Sequence, residues 1–90
     1  MKFLALVSEG TGTFLLLTSI LFTGHWLIIG LTLAGIVYIT GNLSGGHMNP
    51  AVSLAMYFNG KMTGYEFVAY SLSQFMGAAV GLLVFKHFSS

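Results

Sequence analysis

Three long apolar segments run along the chain, separated by short polar or glycine-rich breaks. The segments cover about residues 3–23, 26–41 and 64–86. At ~1.5 Å per residue, the first is ~32 Å long as a helix, which matches a bilayer hydrocarbon core of ~30 Å. The pattern predicts three membrane-spanning helices, the first two joined by a tight turn at Gly24-His25.

The segment between the second and third apolar runs, residues 42–59, has a different pattern. Glycine is frequent up to residue 48, which disfavours a helix and predicts an extended loop. Asn49 followed by Pro50 is then a strong helix start, because Asn is a favoured N-cap and Pro is tolerated in the first turn. Gly60 is a suitable helix stop. The pattern therefore predicts a loop followed by a short helix.

The short helix, predicted over residues 50–59, is ~15 Å long, about half the hydrocarbon thickness. A helix and loop at membrane depth have backbone groups that lipid cannot satisfy, so they must be buried in protein or face a water-filled cavity. An amphipathic helix on the membrane surface is the alternative. It is disfavoured because the run from Leu54 to Phe58 has no strongly charged face. We therefore expect a re-entrant half-helix with a cavity at its start.

Composition places the chain in a membrane. Of its 90 residues, 56% are hydrophobic and 6% are charged, whereas ~25% of the residues in soluble domains are charged. The mean hydropathy is +0.88. The fold class predicted is an all-α membrane protein with three transmembrane helices and one re-entrant half-helix. We expect it to be a multi-pass protein of the plasma or inner membrane, with the lipid bilayer as a partner.

Charge and reactive side chains argue against several classes of function. The formal net charge is +1, from three basic and two acidic residues, which is too little for a nucleic-acid-binding surface. Cysteine is absent, and the histidines His25, His47 and His87 are too widely spaced for a metal site. The sequence offers no nucleophile with a base and no carboxylate pair. We therefore expect no enzymatic activity, no metal and no cofactor.

Three stretches of the chain resemble one family. They are Ser44-Gly45-Gly46-His47-Met48-Asn49-Pro50-Ala51-Val52-Ser53, Glu9-Gly10-Thr11-Gly12-Thr13-Phe14 and Gln74-Phe75-Met76-Gly77-Ala78. They look like the first pore loop, the first helix and the third helix of the major intrinsic proteins, the aquaporins and glycerol facilitators. The resemblance implies a passive channel for water or small neutral solutes such as glycerol. It also implies two inverted three-helix repeats whose half-helices meet at mid-channel, and this chain carries one repeat.

Asn49 is the residue with the clearest implied role. As an N-cap, its side-chain oxygen accepts a backbone N–H, which leaves its NH₂ group free to donate to a passing water. The resemblance implies that the motif and the preceding loop line the pore through Asn49, Pro50, Ala51, Gly46 and His47. It also implies that Glu9 supports this loop from behind. Gln74 is a polar group on a helix face with Gly77 and Gly81, which suits close helix packing, and we expect it to support the pore near Glu9.

Two aliphatic residues occupy positions that matter for selectivity in the family. The resemblance places Val52 where the second repeat has an arginine, and Ile29 at an aromatic position of the narrowest region. Aliphatic side chains at both pore-lining positions favour a wider, more apolar pore that passes glycerol or other small neutral solutes. Ordinary helix packing is the alternative role for both, because apolar residues are the default on membrane helices.

The charges at the helix ends bear on how one repeat could form a pore. With three spans, Lys2 and Lys61 fall on one side and Lys86 on the other, so the positive-inside bias is only one lysine and the orientation is weakly specified. A chain that inserts both ways would pair with a second copy as an antiparallel homodimer; a complementary half-repeat is the other candidate partner. Two alternatives stay open: a truncated or split channel fragment, and an accessory membrane protein that does not conduct by itself.

Overall fold

The computed structural model describes residues 3–89, which form four α-helices. They are α1 (Phe3–Thr23), α2 (Trp26–Ser44), α3 (Pro50–Phe58) and α4 (Gly64–Ser89). α1, α2 and α4 are long and apolar enough to cross a membrane. The predicted fold class is confirmed: an all-α membrane protein with three spans and one short helix. Lys2, which entered the count of charges, lies outside the described residues.

α1 and α4 run parallel and pack closely through small residues. The Ser73 hydroxyl donates a hydrogen bond to the Leu6 carbonyl oxygen at 2.6 Å. One turn further along α4, Gly77 approaches α1 so closely that a Cβ at this position would overlap the Gly10 carbonyl oxygen. Small residues permit this kind of backbone approach between membrane helices. The contact fixes the register between the two helices.

α2 packs on the other side of α1 and runs in the opposite direction. Its last residue, Ser44, bonds to Glu9, whereas Ile36, two turns earlier on α2, lies beside Gly12, further along α1. α3 packs against α4. α1 therefore lies at the centre of the bundle, and the loop between α2 and α3 folds back onto it.

α2 ends later than the sequence pattern predicts. The predicted end was Gly41, but the helix continues to Ser44. A single glycine inside a helix costs only about 1 kcal/mol relative to alanine, and Ser44 in the continued helix makes a buried hydrogen bond to Glu9. Gly45 then ends the helix in the left-handed region at φ 92°, with its N–H donating to the Gly41 carbonyl oxygen.

The last two helices also differ in length from the predicted ranges. α3 ends at Phe58 instead of residue 59, and α4 continues to Ser89 instead of residue 86. Lys86 and His87 lie in the last turn of α4. Basic side chains there interact favourably with the negative end of the helix dipole, which stabilises the additional turn.

The interior of the bundle is polar and much of its surface is apolar. The buried polar side chains are Ser8, Glu9, Thr13, Thr40, Ser44, Ser53, Ser71 and Gln74, and the buried apolar ones are Ala5, Ile36, Met48 and Tyr70. Lipid is as apolar as leucine, so membrane helices associate through close packing and hydrogen bonds instead of through burial of apolar surface. The buried polar groups therefore indicate where the helices are held together.

Candidate functional site

α3 begins with a well-formed cap at Asn49. The backbone of Asn49 is extended, with φ −161° and ψ 125°, and its Oδ1 accepts a hydrogen bond from the Ala51 N–H at 2.8 Å. Pro50 occupies the first turn, where its missing N–H is not needed. Asn49 is exposed, and its amide nitrogen Nδ2 takes no part in the capping bond. A hydrogen-bond donor is thus available at the start of α3.

Contacts along α1 give the depth of this helix start. The Met48 side chain, directly before Asn49, packs against Gly12. Gly12 lies nine residues beyond Phe3, the first residue of α1, which is ~14 Å along a helix ~32 Å long. α3 therefore starts near the middle of the bundle, and its length of ~14 Å takes the chain back to the side where α4 begins.

Glu9 anchors the loop that leads to α3. Its side chain is 0% exposed. Oε1 accepts hydrogen bonds from the Met48 N–H at 2.8 Å and from Gln74 Nε2 at 2.9 Å. Oε2 accepts from the Ser44 hydroxyl at 2.6 Å and from the His47 N–H at 3.0 Å. One carboxylate thus connects α1 to the end of α2, to two loop amides and to α4.

The surroundings of Glu9 explain how an acidic group is held inside the bundle. Each of its four partners can donate, which suits a carboxylate because that group only accepts hydrogen bonds. Hydrogen bonds to charged groups contribute roughly 1.5–3 kcal/mol each. The two loop amides lie next to the N-terminus of α3, which is the positive end of that helix dipole. Hydrogen bonds and dipole together compensate the burial of the charge.

A second set of hydrogen bonds joins α3 to the loop and to α4. The Ser53 side chain is 0% exposed, and its Oγ accepts a hydrogen bond from Gln74 Nε2 at 3.0 Å. Ser53 Oγ also bonds with His47 Nδ1 at 2.8 Å. The His47 ring lies against Tyr70, 5.1 Å between ring centroids, and the Tyr70 hydroxyl donates to the Ser44 carbonyl oxygen at 2.8 Å. α3 is therefore fixed by polar contacts on its buried face.

Ser53→Ala is expected to lower the free energy of unfolding by about 2 kcal/mol, because buried polar partners lose a hydrogen bond. The partners affected are His47 and Gln74. Ser71 is a matched control, because its hydroxyl is also buried but bonds to no other residue of the described range. Ser71→Ala is expected to be neutral or slightly stabilising. The midpoints of thermal unfolding of the two variants are compared in detergent micelles by circular dichroism. Equal midpoints for Ser53→Ala and Ser71→Ala would contradict the stabilising role of Ser53.

Comparison with known proteins identifies the family. The profile of the family described as Major intrinsic protein matches residues 5–90. This chain belongs to the major intrinsic protein family. The matched region includes the Glu9 anchor, the loop and α3, so the resemblance read from the sequence is confirmed.

Curated relatives of this major intrinsic protein include proteins named for water and for glycerol. A probable aquaporin AqpM of Archaeoglobus fulgidus is 44% identical over 66 residues, covering 69% of this chain and 27% of that protein. Aquaporin Z of Photorhabdus laumondii is 36% identical over 63 residues, 70% of this chain and 27% of that protein. Glycerol uptake facilitator protein-like 6 of Lactiplantibacillus plantarum is 36% identical over 93 positions, 93% of this chain and 43% of that protein.

The chain spans less than half the length of each of these relatives. No solved structure matches it significantly. The relatives therefore establish the family of the chain. Because the match covers less than half of each relative, the activity for which those proteins are named is not thereby assigned to this chain.

The structure brings most of the predicted site residues of this family member together. Glu9, His47 and Gln74 belong to one hydrogen-bonded cluster. The motif residues 49–52 form the cap and first turn of α3. Gly46 turns the loop at φ 66°, a backbone conformation that glycine adopts without a steric penalty.

The two predicted selectivity residues do not lie together. The Val52 side chain is 36% exposed in the first turn of α3. Ile29 is on the first turn of α2, seven residues before Ile36, which is ~10 Å along the helix axis. Ile36 is level with Met48 at Gly12, so Ile29 lies further towards the opposite end of the bundle.

Sequence reasoning missed several residues of the site. Ser44, Ser53 and Tyr70 carry hydroxyl groups in otherwise apolar surroundings, and that signal was available because polar groups inside a membrane need partners. Gly12 and Met48 carried no comparable signal. Their contact joins positions that are distant in the chain, and methionine and glycine are both common in membrane helices.

One groove on the surface lies away from this site. It has a volume of ≈ 460 Å³ and runs between α1 and α4, with a mainly apolar lining that includes Leu6, Phe14 and Met76. It contains none of the residues 44–53. Its apolar lining suits contact with lipid or with another helix.

Proposed function

We propose that this chain forms one half of a membrane channel for water or small neutral solutes such as glycerol. The observation that carries the proposal is Asn49, an exposed residue near the middle of the bundle whose Oδ1 caps α3 and whose Nδ2 takes no part in that bond. A hydrogen-bond donor near the middle of the bundle can bind a solute whose oxygen has a free lone pair, such as water or glycerol. The names of the relatives, aquaporins and a glycerol uptake facilitator, support the same class of solute and a channel instead of an enzyme.

A second three-helix unit completes the pore in this proposal. Two helices of the length of α3, placed N-terminus to N-terminus, span ~27 Å, close to the ~30 Å hydrocarbon core. The loop and the exposed start of α3 carry backbone groups that lipid cannot satisfy. A protein partner and a water-filled passage on this face would satisfy them. The partner is a second copy of this chain or a complementary half-repeat.

The charges of the described residues support an antiparallel pair of identical chains. Lys61 lies just before α4, and Lys86 lies in its last turn. Positive charge on the short flanking segments sets the orientation of membrane proteins, and here each end of the bundle carries one of these lysines. The chain would then insert in both orientations in a plasma or inner membrane and meet itself head to head.

The electrostatics of such a pair favour neutral solutes. A helix N-terminus carries about half an elementary positive charge, so two facing α3 helices would repel cations and orient water dipoles at mid-channel. Val52 and Ile29 lie on opposite sides of the middle of one chain, so in an antiparallel pair Val52 of one copy falls on the same side as Ile29 of the other. Aliphatic side chains there support a pore that is less polar and wider than one with an arginine and an aromatic ring. We therefore propose that glycerol passes as well as water.

The purified chain in liposomes is expected to raise water and glycerol permeability above that of empty liposomes, measured by stopped-flow light scattering. Asn49→Ala is expected to lower the water permeability about fivefold or more, the equivalent of one hydrogen bond of ~1 kcal/mol. Asn59→Ala, at the other end of α3, is the matched control and should conduct like the wild type. Asn49→Ser keeps a side-chain oxygen that can cap α3 but has no amide nitrogen. Comparing it with Asn49→Ala separates the effect of losing the cap from the effect of losing the amide donor.

Wild-type water permeability in Asn49→Ala would contradict the proposal that Asn49 donates a hydrogen bond to the passing solute. A wild-type chain that inserts in liposomes but gives no flux would favour the alternatives, a fragment that needs a second half or an accessory protein. Labelling of the two lysine ends in the same liposomes gives the orientation. A single orientation for all molecules would rule out the antiparallel pair of identical chains.

A further inference from the structure

Met48, the residue directly before Asn49, has an unusual backbone conformation. Its φ is 55°, and it is the one non-glycine residue in the described range with a positive φ. L-residues with a side chain rarely adopt this left-handed region, whereas glycine does so freely. Strained conformations of this kind persist where the surroundings over-determine them, often at functional sites. Met48 therefore occupies a position whose backbone conformation would suit glycine better.

The Met48 side chain fills a notch in the wall of α1. It is 2% exposed. The notch exists because residue 12 is glycine: a Cβ at Gly12 would overlap the Met48 thioether and would lie 2.9 Å from a methyl group of Ile36. The Met48 N–H is held by Glu9 Oε1 at 2.8 Å. Backbone and side chain of this one residue are thus both fixed against α1.

The two attachments constrain different movements of the loop. The hydrogen bonds from Glu9 to the amides of His47 and Met48 set how far the loop lies from α1. By themselves, these two hydrogen bonds would let the loop rotate about the line through the two amides. The contacts of His47 and Ser53 hold the segments on either side of the Asn49 turn. The Met48 side chain in the notch at Gly12 is the contact that holds the residue directly before Asn49. Asn49 is the next residue, so the contact between Met48 and Gly12 also governs the direction in which the Asn49 side chain points.

We propose that Met48 and Gly12 form a positioning contact that sets the position of the Asn49 amide, and thereby the ratio of water to glycerol permeability of the half-pore. The proposal rests on the proposed channel function. Met48 is a positioning residue, because it is buried and acts on solute only through Asn49.

Gly12→Ala is expected to force the thioether out of its notch, and Met48→Ala to leave the notch empty. Each is expected to lower water permeability in liposomes by about fivefold, as for loss of the Asn49 hydrogen bond, and to change the ratio of water to glycerol permeability. In the double variant the new methyl group at position 12 refills part of the space left by the shorter side chain at 48. Its water permeability is expected to exceed that of either single variant. Gly81→Ala, whose Cβ would meet its nearest neighbour at an ordinary 3.4 Å, is the control.

Hydrogen exchange of the Met48 amide in detergent micelles tests the contact without any flux measurement. We expect the protection factor of this amide to fall about tenfold or more in both single variants, because the loop opens more readily, and to recover in part in the double variant. Unchanged permeability ratios and unchanged Met48 exchange in folded Met48→Ala would overturn the proposal, even if the midpoint of unfolding falls. A wild-type chain without flux would overturn a pore built from copies of this chain alone, while the exchange data would still decide whether Gly12 and Met48 hold the loop.

Discussion

Glu9→Gln is expected to lower the free energy of unfolding by about 4 kcal/mol and to abolish solute flux. The carboxylate accepts hydrogen bonds from four groups in three other parts of the chain. Glutamine keeps one oxygen and places an NH₂ group against one loop N–H, which can only donate, and against one side chain, Ser44 or Gln74, which can turn to accept. The opposed loop N–H loses a bond of roughly 1.5–3 kcal/mol, and the two bonds to the remaining oxygen each weaken by about 1 kcal/mol because that oxygen is no longer charged.

The measurement is thermal unfolding of both proteins in the same detergent, with flux in liposomes as a second readout. A loss of about 4 kcal/mol corresponds to a fall of roughly 20 °C in the midpoint for a chain of this size. Glu66→Gln is the matched control, because Glu66 is the other acidic residue of the chain. Glu66 Oε1 accepts from the Thr63 N–H at 2.9 Å in a cap at the start of α4, and glutamine can make the same bond. Equal midpoints for the two variants would contradict the anchoring role of Glu9.

Gly77→Ala is expected to lower the free energy of unfolding by about 3 kcal/mol, the upper range for overpacking a well-packed interior. The new methyl group would overlap the Gly10 carbonyl oxygen and would lie 3.1 Å from the Phe14 nitrogen. Both are backbone atoms of α1 and cannot rotate away. α1 and α4 would have to separate, which strains the hydrogen bond from Ser73 to Leu6 and the one from Gln74 to Glu9.

Gly81→Ala is the control for this prediction, one turn further along α4. Its methyl group would meet Leu17 at 3.4 Å and the Phe14 carbonyl oxygen at 3.5 Å, which are ordinary contacts. Alanine also favours a helix over glycine by up to about 1 kcal/mol. Gly81→Ala is therefore expected to be neutral or stabilising in the same unfolding experiment. If both variants unfold at the same temperature, the approach of α1 and α4 at Gly77 is not as close as the structure has it.

The fold class could be predicted because its signals are local. Each span is a continuous apolar run of sufficient length, and the start of α3 depends on Asn49 and Pro50, which are adjacent in the chain. The end of α2 could not be predicted in the same way. The helix passes Gly41 because Ser44 bonds to Glu9, a residue 35 positions away. Local propensity gave the wrong end because a tertiary hydrogen bond outweighed it.

The candidate site could be predicted in part. The resemblance led us to expect that Glu9 supports the loop, and the helix face of Gln74 that this residue supports the pore near Glu9; the structure brings both into contact with the loop or with α3. Their role in a pore stays a prediction. The four partners of Glu9 could not be read from the sequence, because they come from three separate segments. Ser53 was missed because a serine in a short apolar helix also fits a solvent-facing position.

By itself, the sequence determined the membrane class, the number of spans, the family and the start of the half-helix at Asn49. The membrane class, the spans and the helix start follow from hydropathy, length and the capping chemistry of neighbouring residues, and the family follows from the resemblance of three short stretches; none of these needs a partner elsewhere in the chain. Only the tertiary structure decided that Met48 adopts a left-handed conformation in a notch at Gly12, and that Glu9 holds the loop at the depth of that notch. The physical reason is that packing and buried hydrogen bonds depend on which distant residues meet. The half-helix starts at Asn49 because of the adjacent pair Asn49 and Pro50, but the depth of that start is set by the contacts of the loop with α1.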